Sequence, residues 1–445
     1  MIYIRLCLIY IFMKNSLEFL IKASKLKEMR KTGWLLMKVK DPETIAEHIF
    51  RVIFFAWLLG RKKGRDLRTK KLIQLALFHD LCEVYAGDMT PLFYWEGLDR
   101  GKKEDERILL KGIRLSKKEK EKRGKIKFEK EKKSLLKTIS FLPLDLKKEI
   151  FYLWLDYEKR VSKEAKFVKQ VDRMETLVQS IEYFGINGKK GGTSWWEGTE
   201  EIIEDPLLLD FLKIIQKKFY GQAKNYKKNQ KLENILDFLL QIGKLKRMPR
   251  KGWLIREVKN PETMGGHLFI LILMAWLFAK KEKTKLNLEK LFKMVLCCKL
   301  PAVYLGEETP YSSIIKNKTK KEIRKILKKW PRFSKQEKIK IFLKNYKKEK
   351  KALEKLIFNL PPDLKKEIVQ LWDEFKNNGS PEACFLNQLH ILANLLEALR
   401  YWEKDKKFPI QAFWEWAFEV ADNQISFELI EELKEKFYNK KVKTC

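Results

Sequence analysis

Residues 78–83 read Phe78-His79-Asp80-Leu81-Cys82-Glu83, and Gly87-Asp88 follows shortly after them. An imidazole and a carboxylate on adjacent residues can both bind one divalent metal ion. The flanking sequence predicts a helix over residues 70–85, which would place Glu83 one turn after His79 on the same face. The Glu83 carboxylate would then lie beside the metal without binding it.

The composition predicts an all-α protein with more than one domain. The chain has 445 residues, which is too long for one ordinary core, and it is rich in Leu, Ile, Lys and Glu. Strand-type alternation is scarce. The six cysteines form no CxxC pair, which favours a reducing, cytoplasmic location over a disulfide framework. No segment reaches the length of a membrane span, so we expect no membrane partner.

The chain is strongly basic. Its net charge of +36 would suit partners that carry phosphate, such as nucleotides, nucleic acid or an anionic membrane. The lysines are dispersed and mixed with glutamates, however, which favours solvated helix faces as the explanation of the charge. No RNA- or DNA-reading motif accompanies the charge, so nucleic acid is not an expected partner.

The sequence repeats itself at an offset of about 219 residues. Matching segments include Gly33-Trp34-Leu35 with Gly252-Trp253-Leu254, Asp41-Pro42-Glu43-Thr44 with Asn260-Pro261-Glu262-Thr263, and His48 with His267. We therefore predict two helical copies, residues 13–220 and 231–445, that pack on each other within the chain and are joined by a polar linker at 221–230. Residues 1–12 are apolar, and we interpret them as an extension or as an upstream start codon before Met13.

Three predicted helices of the first copy carry candidate metal ligands. The first begins with Asp41 as its N-cap, carries His48 and ends at Gly60. A later helix, capped by Ser162, carries Asp172 at the edge of an apolar stripe, where a lone carboxylate needs a partner. Together with His79-Asp80 these residues would supply two imidazoles and two carboxylates. Such a set suits one divalent ion, Co, Mn, Mg, Fe or Zn, with water in the remaining positions.

The ordered set of motifs resembles the HD-domain phosphohydrolases, and most of all their 5′-deoxynucleotidase branch. The resemblance rests on Thr32-Gly33-Trp34, Pro42-Glu43 before His48, the segment 78–83, Gly87-Asp88 and Glu164-Ala165-Lys166-Phe167-Val168-Lys169-Gln170-Val171-Asp172. It covers nearly all of the first copy. It implies two tandem HD-domain helical bundles.

The resemblance also implies roles for individual residues. The metal ligands would be His48, His79, Asp80 and Asp172. Glu83 would be the catalytic acid or base, Asp88 would contact the sugar hydroxyls, and Trp34 would pack against the nucleoside. Bacterial members of the family carry an arginine directly before this tryptophan, but Gly33 stands there in this chain. Arg30 or Lys31 would therefore have to bind the phosphate.

The implied function is metal-dependent removal of the 5′-phosphate from (deoxy)nucleoside monophosphates. One alternative is an HD phosphohydrolase that acts on another nucleotide or on a phosphodiester. Another is a basic nucleic-acid-binding or scaffold protein whose metal site is vestigial.

The second copy keeps the scaffold residues and loses the site. Cys298-Lys299 replaces His79-Asp80, and the counterparts of Glu83 and Asp172 are Ala302 and His390. We predict no hydrolysis there, because a lysine repels a cation and alanine is no acid. The resemblance to this branch implies a homodimer, so the second copy would take the place of a second subunit. Lys299 would then replace the positive charge of the metal. Alternatively, His267, Cys298 and His390 would form a new zinc site.

Overall fold

The structure, a computed structural model, describes residues 2–89, 116–185, 196, 198–221, 226–282 and 284–438. Within these ranges the chain forms helices and two isolated β-bridges but no strand, which confirms the all-α prediction. Part of the predicted linker, residues 222–225, lies outside the described residues. In the same ranges, no helix combines the length and the apolar character needed to cross a bilayer.

The first copy contributes nine of the helices named here. They are α1 (Ile2–Ala23), α2 (Thr32–Leu36), α3 (Ile45–Gly60), α4 (Thr69–Phe78), α5 (Glu83–Ala86), α6 (Lys117–Thr138), α7 (Leu144–Lys159), α8 (Lys163–Phe184) and α9 (Pro206–Tyr220). The second copy contributes α10 (Gln230–Ile242), α11 (Lys251–Leu254), α12 (Met264–Ala279), α13 (Leu288–Cys297), α14 (Ala302–Leu305), α15 (Lys320–Ile326), α16 (Lys335–Ile357), α17 (Pro362–Asn377), α18 (Pro381–Lys404), α19 (Gln411–Val420) and α20 (Gln424–Tyr438).

The chain divides into two compact units that exchange their opening helices. One unit contains residues 21–240, and the other contains residues 1–20 together with 241–445. The first part of α1 thus packs with the second copy, where the Phe12 ring meets Phe278 edge-on at 6.4 Å. Most of α10 packs with the first copy, where Phe238 lies 6.2 Å from Phe54. The predicted limits at 13–220 and 231–445 describe the sequence repeat, whereas the packing units cross it.

The repeat is visible in individual backbone and side-chain contacts. An isolated bridge pairs Arg30 with Thr44 in the first copy and Pro249 with Thr263 in the second. The indole N–H of Trp34 donates to Glu43 at 2.8 Å, and that of Trp253 donates to Glu262 at 3.1 Å. Both copies therefore use the same polar contacts to join the short tryptophan helix to the start of the following long helix.

Helix α3 is the centre of the first unit. All of its 16 residues are buried, which is typical of a helix that is apolar on every side. Thr44 caps it, accepting from the Glu47 backbone N–H while the Glu47 carboxylate accepts from the Thr44 N–H. The prediction of Asp41 as the cap was wrong, because Asp41 lies in a turn at φ 52°.

The end of α3 also differs from the prediction. Gly60 is still helical, and Arg61 is the residue that follows the helix. A Cβ at Gly60 would lie 2.3 Å from the Leu72 side chain. Glycine is therefore required by the close approach of α4, and its predicted role as the helix cap was wrong.

The predicted helix over residues 70–85 is interrupted at the metal motif. Helix α4 ends at Phe78, and α5 begins only at Glu83. Between them the backbone turns more tightly, since Leu81 N–H donates to Phe78 and Glu83 N–H donates to Asp80. Gly87, at φ 75°, ends α5 as expected. The tighter turn brings both Asp80 and Glu83 toward the same side of the unit.

Candidate metal centre

Four side chains from three segments meet beside α3. His48 comes from α3, His79 and Asp80 come from the turn after α4, and Asp172 comes from α8. His48 Nε2 lies 3.0 Å from Asp172 Oδ1 and 3.9 Å from Asp80 Oδ2. His79 Nε2 lies 3.2 Å from Asp80 Oδ2 and 3.9 Å from Asp172 Oδ1. Two imidazole nitrogens and two carboxylates therefore surround one small volume.

His79 presents an unused nitrogen to this volume. Its Nδ1 lies 2.8 Å from the Ala76 carbonyl oxygen, which can only accept, so Nδ1 carries the proton. Its buried Nε2 finds no hydrogen-bond partner among the residues that the structure describes. A buried acceptor without a partner is costly. A metal ion bound at Nε2 would remove that cost, and a backbone carbonyl on the other nitrogen is the usual support for such a ligand.

His48 is held by a carboxylate on the side away from this volume. Its Nδ1 lies 2.6 Å from Glu175, and Glu175 also accepts from the Arg51 guanidinium at 2.7 Å. Burial alone would lower the pKa of His48, but Glu175 and the hydrogen bonds to Asp172 and Glu175 raise it to about 10. Glu175 thus fixes the ring so that Nε2 faces Asp172.

Asp172 is held from both sides. Its Oδ1 faces His48, and its Oδ2 accepts from the Tyr157 hydroxyl at 2.8 Å. Burial would raise the pKa of Asp172, but the hydrogen bond from His48 and the nearby His79 lower it well below its usual range. The carboxylate is therefore charged, which is the form that binds a cation.

A second cluster of charges adjoins the first, centred on Lys31. Its ammonium lies 3.0 Å from Asp80, 3.5 Å from Asp88 and 3.6 Å from Glu83. Burial, and then the neighbouring Asp80 carboxylate, raise the pKa of Glu83 well above its usual value. One oxygen of Glu83 is buried with no hydrogen-bond partner among the described residues. A neutral carboxyl in this position could donate a proton to a bound molecule.

The two candidate phosphate-binding residues lie in different places. Arg30 donates to the Pro42 carbonyl and pairs with Asp41 at 2.5 Å, so its guanidinium is engaged at the turn before α3. Lys31 reaches the carboxylate cluster. The geometry therefore favours Lys31 over Arg30.

Trp34 lies in the core. It is 2% exposed, and its ring packs edge-on against Tyr183 at 5.2 Å. No face of the indole remains for stacking on a nucleoside, contrary to the expectation from the resemblance. Asp88, by contrast, lies at the site, where its Oδ2 accepts from the Thr32 backbone N–H at 2.5 Å.

The donor atoms fit a divalent metal ion. His48, His79 and Asp80 each offer an atom within 4.8 Å of the others, and a neighbouring group joins His48 to Glu43 and Glu175. Nitrogen and carboxylate ligands with room for water suit Co, Mn, Fe, Zn or Mg and do not select among them. The described residues therefore contain candidate ligands for a divalent ion.

The described part of the second copy contains no equivalent group. Within the described ranges, both groups of this kind lie in the first copy. His267 Nε2 lies 3.0 Å from His390 Nδ1, but the Cys298 thiol donates to the Val295 carbonyl and does not join them. Burial raises the pKa of Cys298 to about 11, which opposes thiolate formation. The alternative zinc site in the second copy therefore has no support in this geometry.

Three supporting residues were not found from the sequence: Arg51, Tyr157 and Glu175. The sequence contained an indication of two of them. Arg51 is the one arginine in the apolar helix α3, which has no lysine, and it follows His48 by three residues. Glu175 follows Asp172 by three residues and so lies on the same helix face. Tyr157 had no such signal, because its partner Asp172 is on another helix.

Comparisons with known proteins identify the family of this chain. A family model described as HD domain matches residues 23–195 and again residues 242–433. The chain is similar to 5′-deoxynucleotidase HDDC2 of Danio rerio, with 30% identity over 46% of this chain and 88% of the relative. It is also similar to HDDC2 of Bos taurus, with 31% identity over 40% of this chain and 72% of the relative. A solved structure, a conserved hypothetical protein from Pyrococcus furiosus, matches at 24% identity and a TM-score of 0.32, over 45% of this chain and 98% of the other. This chain belongs to the HD-domain family.

Proposed function

We propose that the first copy of this HD-domain protein is a metal-dependent phosphohydrolase that removes the 5′-phosphate from (deoxy)nucleoside monophosphates. The observation that carries the proposal is the unpartnered Nε2 of His79, buried beside His48, Asp80 and Asp172. The substrate class is taken from relatives named 5′-deoxynucleotidase, which are about 30% identical to this chain.

The four residues around the small volume would hold the ion. A divalent ion bound there would neutralise charge on the phosphoryl oxygens and make water a better nucleophile at neutral pH. Glu175 and Tyr157 position two of the ligands by direct hydrogen bonds. Their contribution is orientation, which is a large part of what a protein supplies at a metal site.

Lys31 is the residue best placed to bind the phosphate. Its ammonium is surrounded by three carboxylates, and these together raise its pKa well above the usual value although burial alone would lower it. The side chain is therefore charged. A phosphate group that entered the site would replace one or more of those carboxylates as its partner.

Glu83 would act as the general acid. In hydrolysis, a water oxygen forms a bond to phosphorus, the bond from phosphorus to the 5′-oxygen breaks, and that oxygen needs a proton. The raised pKa of Glu83, caused first by burial and then by Asp80, keeps a proton available for it. Asp88 can accept a hydrogen bond from a sugar hydroxyl through Oδ1, since its Oδ2 is bound to the Thr32 N–H.

The second copy takes no part in this reaction. Ala302 offers no proton, and Lys299 stands where the first copy has the Asp80 carboxylate. We propose that it serves as a structural partner. The exchange of opening helices supports this, because each packing unit contains a helix from the other copy.

The test is phosphate release from dAMP, dCMP, dGMP and dTMP with added Co, Mn or Mg, comparing the wild type with Glu83→Gln. We expect kcat to fall by about 10²–10⁴-fold in the variant, which is the usual contribution of a general acid. The matched control is Glu131→Gln, since Glu131 is also a buried carboxyl whose burial raises its pKa, to about 7, but it pairs with Lys127. That variant should keep its activity within about threefold.

Two outcomes would contradict the proposal. Unchanged kcat in Glu83→Gln would remove Glu83 from the mechanism. Turnover of none of the four nucleotides would reject the substrate class. Hydrolysis of bis(4-nitrophenyl) phosphate instead would favour the alternative of an HD phosphohydrolase that acts on a phosphodiester. Salt-sensitive binding of nucleic acid without turnover would favour the scaffold alternative.

A further inference from the structure

The candidate site loses most of its negative charge between the first copy and the second. Glu43 and Asp88 keep carboxylate counterparts, Glu262 and Glu307. The carboxylates that are replaced are Asp80 by Lys299, Glu83 by Ala302, Asp172 by His390, and Glu175 by Ala393. A set of residues suited to a cation has thus gained an ammonium and lost four carboxylates.

Lys299 is the side chain that these replacements leave unpaired. It forms no hydrogen bond or ion pair with any residue that the structure describes. Its two cationic neighbours are engaged, since Arg250 binds Glu307 at 2.6 Å and Lys376 binds Glu349 at 3.0 Å. A half-buried ammonium that no carboxylate contacts directly is costly unless a ligand pairs with it.

The pKa values of Lys299 and of its neighbour His390 are both lowered. Burial, Arg250 and Lys376 lower the pKa of Lys299, although the Glu307 carboxylate acts in the opposite direction. Burial, and then Lys299, lower the pKa of His390 well below its usual value. Both shifts are those expected of buried groups that lie close to positive charges.

The site is also accessible to solvent. Lys299 and His390 are both half-buried, so each keeps some contact with solvent. Replacement of the Glu83 carboxyl by the methyl group of Ala302 removes a side chain that fills the same place in the first copy. The backbone around it is retained, since Lys251 N–H donates to Glu307 at 2.7 Å as Thr32 N–H does to Asp88.

We propose that the second copy binds the phosphate group of a small molecule directly, with Lys299 as the primary contact and without a metal ion. An ammonium can pair with a phosphate oxygen as a point charge. Arg250 and Lys376 supply further positive potential around it. No hydrolysis accompanies binding, because the copy lacks a counterpart of Glu83. The proposal is independent of catalysis by the first copy.

The test uses the full chain in EDTA, which removes any metal from the first copy, and titrates it with inorganic phosphate and separately with dAMP. We expect saturable binding of one equivalent by calorimetry. Lys299→Met should weaken it at least tenfold, whereas Lys299→Arg, which keeps the charge, should retain most of it. Lys338→Met is the matched control, because Lys338 is an exposed lysine paired with Glu419, and it should bind as the wild type does.

The results separate the possible sources of the phosphate. Equal affinity for phosphate and dAMP would identify a site for the phosphate group alone, and tighter binding of dAMP would identify a nucleotide. Absence of saturable binding of both probes would overturn the proposal. So would binding that Lys299→Met leaves unchanged while circular dichroism shows the variant to be folded.

Discussion

The two copies keep the same scaffold around candidate sites that differ in charge. The tryptophan–glutamate hydrogen bond and the isolated bridge are present in both, whereas the carboxylates of the first site are mostly absent from the second. The scaffold contacts therefore do not depend on the chemistry of the site. A helical frame of this kind can hold a cation site in one copy and an unpaired ammonium in the other.

The comparison also shows which residues change together. In the first copy Arg51 and Glu175 form a buried ion pair that supports His48. Their counterparts by position are Ile270 and Ala393, which are buried and apolar. His267 instead has its Nδ1 3.3 Å from Glu262. Replacement of the proposed metal ligands is thus accompanied by loss of the charges around His48, since a buried charge without its partner is destabilising.

The largest effect on activity is expected when Asp80 of the first copy is replaced by lysine, the residue at the corresponding position of the second copy. Asp80→Lys should abolish phosphate release, with a loss of at least about 10³-fold, because metal catalysis supplies several kcal/mol. Metal analysis after dialysis should show less bound ion than in the wild type. Retained activity with retained metal would show that Asp80 is not a ligand. The replacement of Asp80 by Lys299 in the second copy would then not explain a loss of metal binding there.

The next effect concerns the buried pair. Arg51→Ile should lower the free energy of unfolding by about 3–5 kcal/mol, because it removes the buried guanidinium that pairs with the Glu175 and Glu182 carboxylates. The double variant Arg51→Ile, Glu175→Ala copies the second repeat and should recover part of that loss. Urea unfolding of the two variants and of Glu175→Ala completes the double-mutant cycle. Strictly additive losses would mean that the two side chains are not coupled.

The smallest effect concerns pH and the unit that contains the second copy. Glu432 is buried there, and its counterpart by position in the first copy is the apolar Ile214. Burial, and then the neighbouring Glu435, raise the pKa of Glu432 to about 7. Because the folded state holds this proton more tightly than the unfolded state, the stabilising contribution is complete below about pH 4.5 and is lost as pH rises through 7.

Glu432→Gln should therefore have little effect at pH 4.5 and stabilise the protein by about 1–2 kcal/mol at pH 8, after allowance for partial screening by solvent. Thermal melting at the two pH values measures the difference. Ile214→Val in the first copy is the control, and its effect should not change with pH. A stabilisation by Glu432→Gln that is equal at both pH values would contradict the assigned protonation.

Some features of this protein could be read from residue order alone. Hydrophobic periodicity predicted helices, and the matching segments predicted two copies, because both signals are local or repeat along the chain. The expectation that His48, His79, Asp80 and Asp172 would approach one another also came from the sequence, through the resemblance of their order and spacing to a known family. Periodicity alone could not show which distant helices pack side by side.

Other features were decided only by tertiary contacts. Arg30 and Lys31 are adjacent in sequence, yet Arg30 is drawn to Asp41 in the turn before α3 while Lys31 reaches three carboxylates. Trp34 is buried in the core, where it donates a hydrogen bond to Glu43 and packs against Tyr183. The repeated sequence segments did not predict that the two packing units exchange their opening helices. Partner choice depends on where distant segments meet in space, and helical spacing specifies only which residues share a face.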